Sequence, residues 1–340
     1  MSVSDVNVTI DIQKVIGESG TGYPLIVYSA DESAEYVEYT LAKAATVYED
    51  NENLSGFVSV VSAEDNPPDK IAFLGVASDD FTSSGIVSAL TGVNDNGFRQ
   101  IVILGLTSEN VQAVMDYVET TTKIFFAQYS VVAGITDFVN YERTVAVCGS
   151  TVTDSDGEVN NIACILGATG GLNAGGFTYK NTIVVNGTVM SNDTYLTLTD
   201  GNESMPVLAV LSKAGDSVVS DGSSLSGEFI DVIDSKDYIV QQLEYQTQKV
   251  LNTQAKVPYT NTGIAMLEAA ATSVLKSAYT NGMIADNEDG SPAYSVSYAL
   301  REDSEDEDIE NRRYVEGSFE FVLSGAIHYV KINGTIKYVA

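Results

Sequence analysis

The sequence predicts a mixed α/β and α+β fold, with sheets covered by helices and extended strands at both chain ends. Continuous apolar runs, Leu25-Ile26-Val27-Tyr28, Ile71-Ala72-Phe73-Leu74 and Ile101-Val102-Ile103-Leu104, alternate with helical periodicity. That is the pattern of a largely parallel sheet covered on both faces. Beyond residue 140 the texture changes to strands and glycine loops, then to two amphipathic helices and a closing group of strands. These textures divide the chain into an N-terminal arm (1–22), an α/β region (23–189), a surface β-hairpin region (190–228) and a C-terminal α+β core with terminal strands (229–340).

In the arm, Val6, Val8, Ile10 and Ile12 alternate with Asn7, Thr9, Asp11 and Gln13, the period of a half-buried strand. Gly17, Gly20 and Gly22 follow, so this strand can pair with its own domain or with a neighbouring molecule. In the α/β region, Val37, Leu41, Ala44, Ala45 and Tyr48 have helical spacing, as do Val111, Val114, Met115 and Val118, with Ser108 as the expected N-cap of the second helix. Lys123-Ile124-Phe125-Phe126, Arg143 to Val147, Ile162 to Leu166 and Ile183-Val184-Val185 read as further strands. Residues 190–228, rich in Ser, Asp, Gly and Thr, read as hairpins. Helices are expected at about 235–252, with Ile239, Leu243 and Val250, and at 261–281, with Ile264, Leu267, Ala271, Val274, Leu275 and Ala278. Strands are expected over Tyr294 to Leu300, Glu316 to Leu323, Ile327 to Ile332 and Thr335 to Val339, the last two joined by the hairpin signal Asn333-Gly334. The acidic run Glu302 to Glu310 reads as a solvated loop.

The 340 residues carry 47 acids against 17 bases, a formal net charge of −30. A surface of that sign repels phosphate backbones and anionic membranes, so nucleic acid is not an expected partner. No apolar run is long enough to span a membrane, and no signal peptide is visible at Met1 to Asp5. Cys148 and Cys164 sit in apolar runs and read as reduced core thiols.

No catalytic, cofactor or metal site emerges. His328, the single histidine, lies in a strand-like stretch and reads as structural; no Gly-x-Ser-x-Gly elbow supplies a nucleophile. Two cysteines and one histidine do not build a standard zinc site. The loops at Asp154 to Gly157 and Asp286 to Gly290 have Val152 and Ala285 where the first calcium ligand belongs. Gly171 and Gly176 have phosphate-loop spacing, but Phe177-Thr178 follow in place of Lys-Ser/Thr.

The C-terminal string resembles the contractile tail sheath proteins of bacteriophages and phage-like injection devices. Asn311-Arg312-Arg313-Tyr314 leads to Gly317-Ser318-Phe319-Glu320-Phe321 and then to Ser324-Gly325-Ala326-Ile327-His328-Tyr329-Val330-Lys331-Ile332-Asn333-Gly334-Thr335-Ile336. Ser226 to Ile233, Lys256 to Ile264 and Tyr141 to Val145 resemble other segments of that family. The resemblance implies a helical homo-oligomer of stacked rings around an inner tail tube, meeting baseplate and tail terminator proteins, with neither cofactor nor catalysis. It implies a virion tail or phage-like particle assembled in a host bacterial cytoplasm. It also implies terminal strands that pair with neighbouring subunits: Val6, Val8, Ile10 and Ile12 at one end, and Phe319, Phe321, Ile327, Tyr329, Ile332 and Ile336 at the other. A non-contractile structural or adhesive module is the alternative, and an α/β enzyme with a carboxylate site a third.

Overall fold

A computed structural model describes residues 22–128, 140–149, 161–199 and 206–332. Its centre is a seven-stranded sheet. The strands are β1 (Tyr23–Ala30), β2 (Ala34–Tyr39), β3 (Ile71–Ala77), β4 (Phe98–Ile103), β5 (Ile124–Gln128), β6 (Thr144–Val147) and, after the two-residue β7 (Val189–Met190), β8 (Val207–Leu208). They lie in the order β2-β3-β1-β4-β5-β6-β8, parallel except for β2, which runs antiparallel to β3. The sheet is doubly wound because its central strands are apolar on both sides. Within β1, Ile26 joins a core with α2 (Glu52–Ala63) and α5 (Asn161–Thr169), while Leu25 and Val27 join a core with α3 (Ser83–Val93) and α4 (Ser108–Val118). A short α1 (Leu41–Val47) follows β2.

Several segments differ from the sequence expectation. Ile162 to Leu166 lie in α5, a helix, and every residue of α5 is buried; an apolar run without polar punctuation has no period to separate helix from strand. Gly167 lets α5 cross α2 closely, since a Cβ there would stand 2.6 Å from the Val61 carbonyl oxygen. Val37 belongs to β2, and the helix starts only at Leu41. Ser108 is the first residue of α4; Thr107 occupies the N-cap position without a side-chain bond. Ile183 makes one bridge, to Val218, and the following loop is held by Glu64, whose carboxylate accepts from the Val185 N–H at 2.7 Å and the Asn186 N–H at 2.8 Å. Among their described residues, 190–228 hold one hairpin, β9 (Val210–Lys213) with β10 (Asp216–Val219), and the helix α6 (Asn192–Leu198), and Val207 to Leu211 are buried.

The C-terminal module consists of α7 (Ile230–Thr253), α8 (Asn261–Thr280), β11 (Tyr294–Tyr298), α9 (Asp306–Glu310) and β12 (Gly317–Phe321). Ile239 and Leu243 of α7 pack against Ala271, Val274, Leu275 and Ala278 of α8, and the β11–β12 ribbon lays Tyr294, Val296, Tyr298 and Phe321 on that core. The acidic run is not a loop throughout: Arg301–Asp303 form a 3-10 turn, and Asp308 of α9 is buried and accepts from Arg313 at 2.6 Å. Cys148 and Cys164 are buried, free thiols; burial pushes Cys148 up to about 12. No described helix is long and apolar enough to cross a membrane.

Candidate assembly surface

Helix α7 joins the two modules. Ile230 and Ile233 enter the core beneath the large sheet, and Asp234 and Asp237 lie on the same stripe at helical spacing. Both carboxylates meet arginines of the α/β body. Arg99 of β4 donates to Asp234 Oδ1 from Nη2 at 2.7 Å and from Nε at 3.1 Å, and to Asp237 Oδ2 from Nη1 at 2.6 Å. Arg143 donates to both oxygens of Asp237 at 2.7 and 3.0 Å, and Arg99 also reaches the Thr122 carbonyl. The Arg99 and Asp234 side chains are only 3% and 2% exposed, so this is a desolvated joint. Burial alone would raise Asp237, but the charges of Arg99 and Arg143 more than offset it and hold the carboxyl below its ordinary value. Asp234, deeper and with Arg99 as its main counter-charge, is left above its ordinary value by burial.

Beside the joint, Lys123 is 2% exposed, donates to the Asn96 and Phe98 carbonyls at 2.8 and 2.7 Å, and lies over the Phe98 ring. Burial, aided by the neighbouring Arg99 charge, lowers it to about 7.

At the other end of the module, β11 and β12 form a two-stranded antiparallel sheet with the register Tyr294↔Phe321, Val296↔Phe319 and Tyr298↔Gly317. The Val322 N–H donates to the Ala293 carbonyl and the Ala299 N–H to the Glu316 carbonyl, which fixes the alternation of the ladder. By that alternation the backbone groups of Gly317, Phe319 and Phe321 turn away from β11, and those of Tyr294, Val296 and Tyr298 turn away from β12. No other described strand lies along either edge. A two-stranded ribbon is marginal by itself, and open edges are templates for further strands. A groove of about 630 Å³, lined by Ala293, Tyr294, Phe319, Phe321 and Val322 among others, runs beside it. Phe319 and Phe321 stack with ring centres 6.2 Å apart, and Val322 is 60% exposed.

Past β12 the chain runs outward. Ile327, Tyr329, Val330 and Ile332 are all exposed, and Ile327 to Ile332 pair with no strand, although their composition reads as one. A strand needs a partner edge, and this segment is paired with none among the described residues. Val6, Val8, Ile10, Ile12 and Ile336, with the hairpin signal Asn333-Gly334 and the strand expected at Thr335 to Val339, lie outside the described residues. Of the residues singled out in the sequence, the structure thus brings together Phe319 and Phe321 on one edge strand and leaves Ile327, Tyr329 and Ile332 on an unpaired segment. Sequence reasoning missed the joint, since Arg99 and Asp234 lie 135 positions apart.

Residues 230–336 match the family model of the E217 tail sheath protein gp31-like, C-terminal domain. No curated protein matches the chain. Among solved structures, the fold is similar to a chain of the anti-feeding prophage (AFP) baseplate, with a TM-score of 0.69 at 14% identity over 99% of each chain. It is similar to the AFP helical sheath in its contracted state, with a TM-score of 0.67 at 11% identity over 98% of this chain and 99% of the other. It is similar also to the contracted PVC sheath complex of an extracellular contractile injection system, with a TM-score of 0.64 at 10% identity over 99% of each. The chain thus resembles the contractile tail sheath proteins, in its overall fold from end to end and over residues 230–336 in their C-terminal domain family.

Proposed function

We propose that this chain is a structural subunit of a contractile sheath. It polymerises in stacked rings around an inner tube and shortens to drive that tube through a target cell envelope. The observation that carries the reading is the pairing, on one chain, of an open-edged ribbon with an exposed apolar terminal segment. The ribbon accepts strands from neighbouring copies along the edges that hold Phe319 and Phe321. The segments with Val6, Val8, Ile10 and Ile12, and with Ile327, Tyr329, Ile332 and Ile336, supply them. Partners are further copies of the chain, the tube protein, and baseplate and terminator proteins; the particle is a virion tail or phage-like device assembled in the host bacterial cytoplasm. No chemistry is needed. A release of ~1–3 kcal/mol per subunit, the scale of one allosteric coupling, sums over on the order of a hundred subunits to roughly 100–300 kcal/mol.

Negative-stain electron microscopy of the full chain, alone and with tube protein, tests this against a variant lacking residues 1–15. Hollow tubes from the full chain and monomers from the variant are expected. Tubes from both would move the linkage to the C-terminal strands. Monodisperse full-length monomers, even with tube protein present, would overturn the sheath reading.

A further inference from the structure

Among the described residues, the segment leaving β12 is held by hydrogen bonds at its root and at His328 beyond it. At the root, the Ser324 N–H donates to the Met283 carbonyl at 3.0 Å and its hydroxyl to the Gly282 carbonyl. Gly325, at φ 61°, turns the backbone there through the left-handed region. Three residues on, His328 Nε2 lies 2.9 Å from Thr178 Oγ1, and the imidazole stands edge-on to the Phe229 ring at 4.8 Å between centres. His328 is the one residue of 324–332 that is half-buried rather than exposed. Thr178 belongs to the α/β body and Phe229 immediately precedes α7, so the imidazole ties a segment rooted in the C-terminal module to the other module.

We propose that the notch formed by Thr178 and Phe229 seats the C-terminal arm, and that His328 is the peg that fixes the direction in which the arm leaves the subunit towards the copy it joins. This rests on the sheath reading above. A strand that must find an acceptor edge on another molecule loses conformational freedom when it docks, and seating its root beforehand removes part of that cost. One hydrogen bond and one aromatic contact together correspond to about 5–150-fold in the arm's equilibrium between seated and free.

The test uses the full chain as wild type, His328→Ala, Thr178→Val and the double variant. Chymotryptic cleavage after Tyr329 is followed by mass spectrometry at a concentration too low for assembly; the concentration at which tubes appear is then measured. Thr178→Val, which removes the hydrogen bond alone, is expected to be cleaved about 2–10-fold faster and His328→Ala, which removes the ring contact as well, about 5–150-fold faster, the double no faster than His328→Ala, with unchanged thermal midpoints and rises of the same order in the assembly concentration. Equal cleavage of wild type and His328→Ala overturns the peg, whether or not tubes form. Faster cleavage with an unchanged or lower assembly concentration overturns its orienting role. If wild type forms no tubes, the sheath reading and the orienting role fall together, while cleavage still decides whether His328 seats the arm.

Discussion

If β12 is an acceptor edge, a proline placed where the N–H points outward should spare the subunit and stop the lattice. Phe319 meets that condition: its N–H turns away from β11, whereas that of Glu320 turns towards it. The outward N–H and C=O groups of Gly317, Phe319 and Phe321, at about 0.5–1.5 kcal/mol per bond, offer an added strand roughly 3–9 kcal/mol. Phe319→Pro deletes the central donor and sets a pyrrolidine ring against the incoming strand, for a loss of at least ~1.4 kcal/mol per joined edge, or about tenfold in assembly concentration. Phe319→Ala controls for the lost side chain, which is 38% exposed. Glu320→Pro controls in the opposite sense: it breaks the ribbon's own ladder and should lower the subunit's stability by ~3 kcal/mol or more. Urea unfolding of the dilute subunit and sedimentation of assembled tubes separate the two effects. If Phe319→Pro assembles at the concentration required by Phe319→Ala, no strand adds at that edge and the reasoning is wrong.

Two further predictions concern the joint. Asp237→Ala leaves Arg99 and Arg143 with one carboxylate between them and should cost ~3–5 kcal/mol, read from thermal or urea unfolding; a loss under about 1 kcal/mol would show that the joint is solvated. Lys123 titrates at about 7 in the folded chain against an ordinary 10.5, so between these values the unfolded chain binds a proton that the folded chain does not. Its contribution to stability therefore increases as pH rises from about 7. Wild type should gain on the order of 2–3 kcal/mol relative to Lys123→Met between about pH 7 and pH 9.5, and parallel pH profiles would refute this.

The parallel sheet was legible because buried strands announce themselves. Leu25 to Tyr28, Ile71 to Leu74 and Ile101 to Leu104 all fall within observed strands or end one residue beyond them. The long helices α7 and α8 were legible from their spacing, to within a turn and a half at each end. Helix α5 was not, because it is buried all round and its apolar residues mark no face. Nor were α2 and α3, whose Ser- and Gly-bearing sequences blur the apolar stripe. The edge strand β12 was legible from composition, but the identity of its outward groups depends on register, which composition does not carry. The seat of His328 was invisible for the same reason as the joint: Thr178 lies 150 positions away, and only tertiary structure brings them together.

Helix α7 has a mechanical consequence. From Asp237 to its last residue, Thr253, it extends about 24 Å as a rod at 1.5 Å per residue. A tilt of about 10° at the pinned end would carry the far end through about 4 Å, nearly the 4.7–4.9 Å between adjacent strands. A loose bearing would thus swing the far end of α7 by almost one strand width relative to the α/β body. Stiffness at two arginines and two aspartates, deep in one module, sets how accurately the other can aim its edges. Wear in that bearing would surface as lattice disorder far from its source.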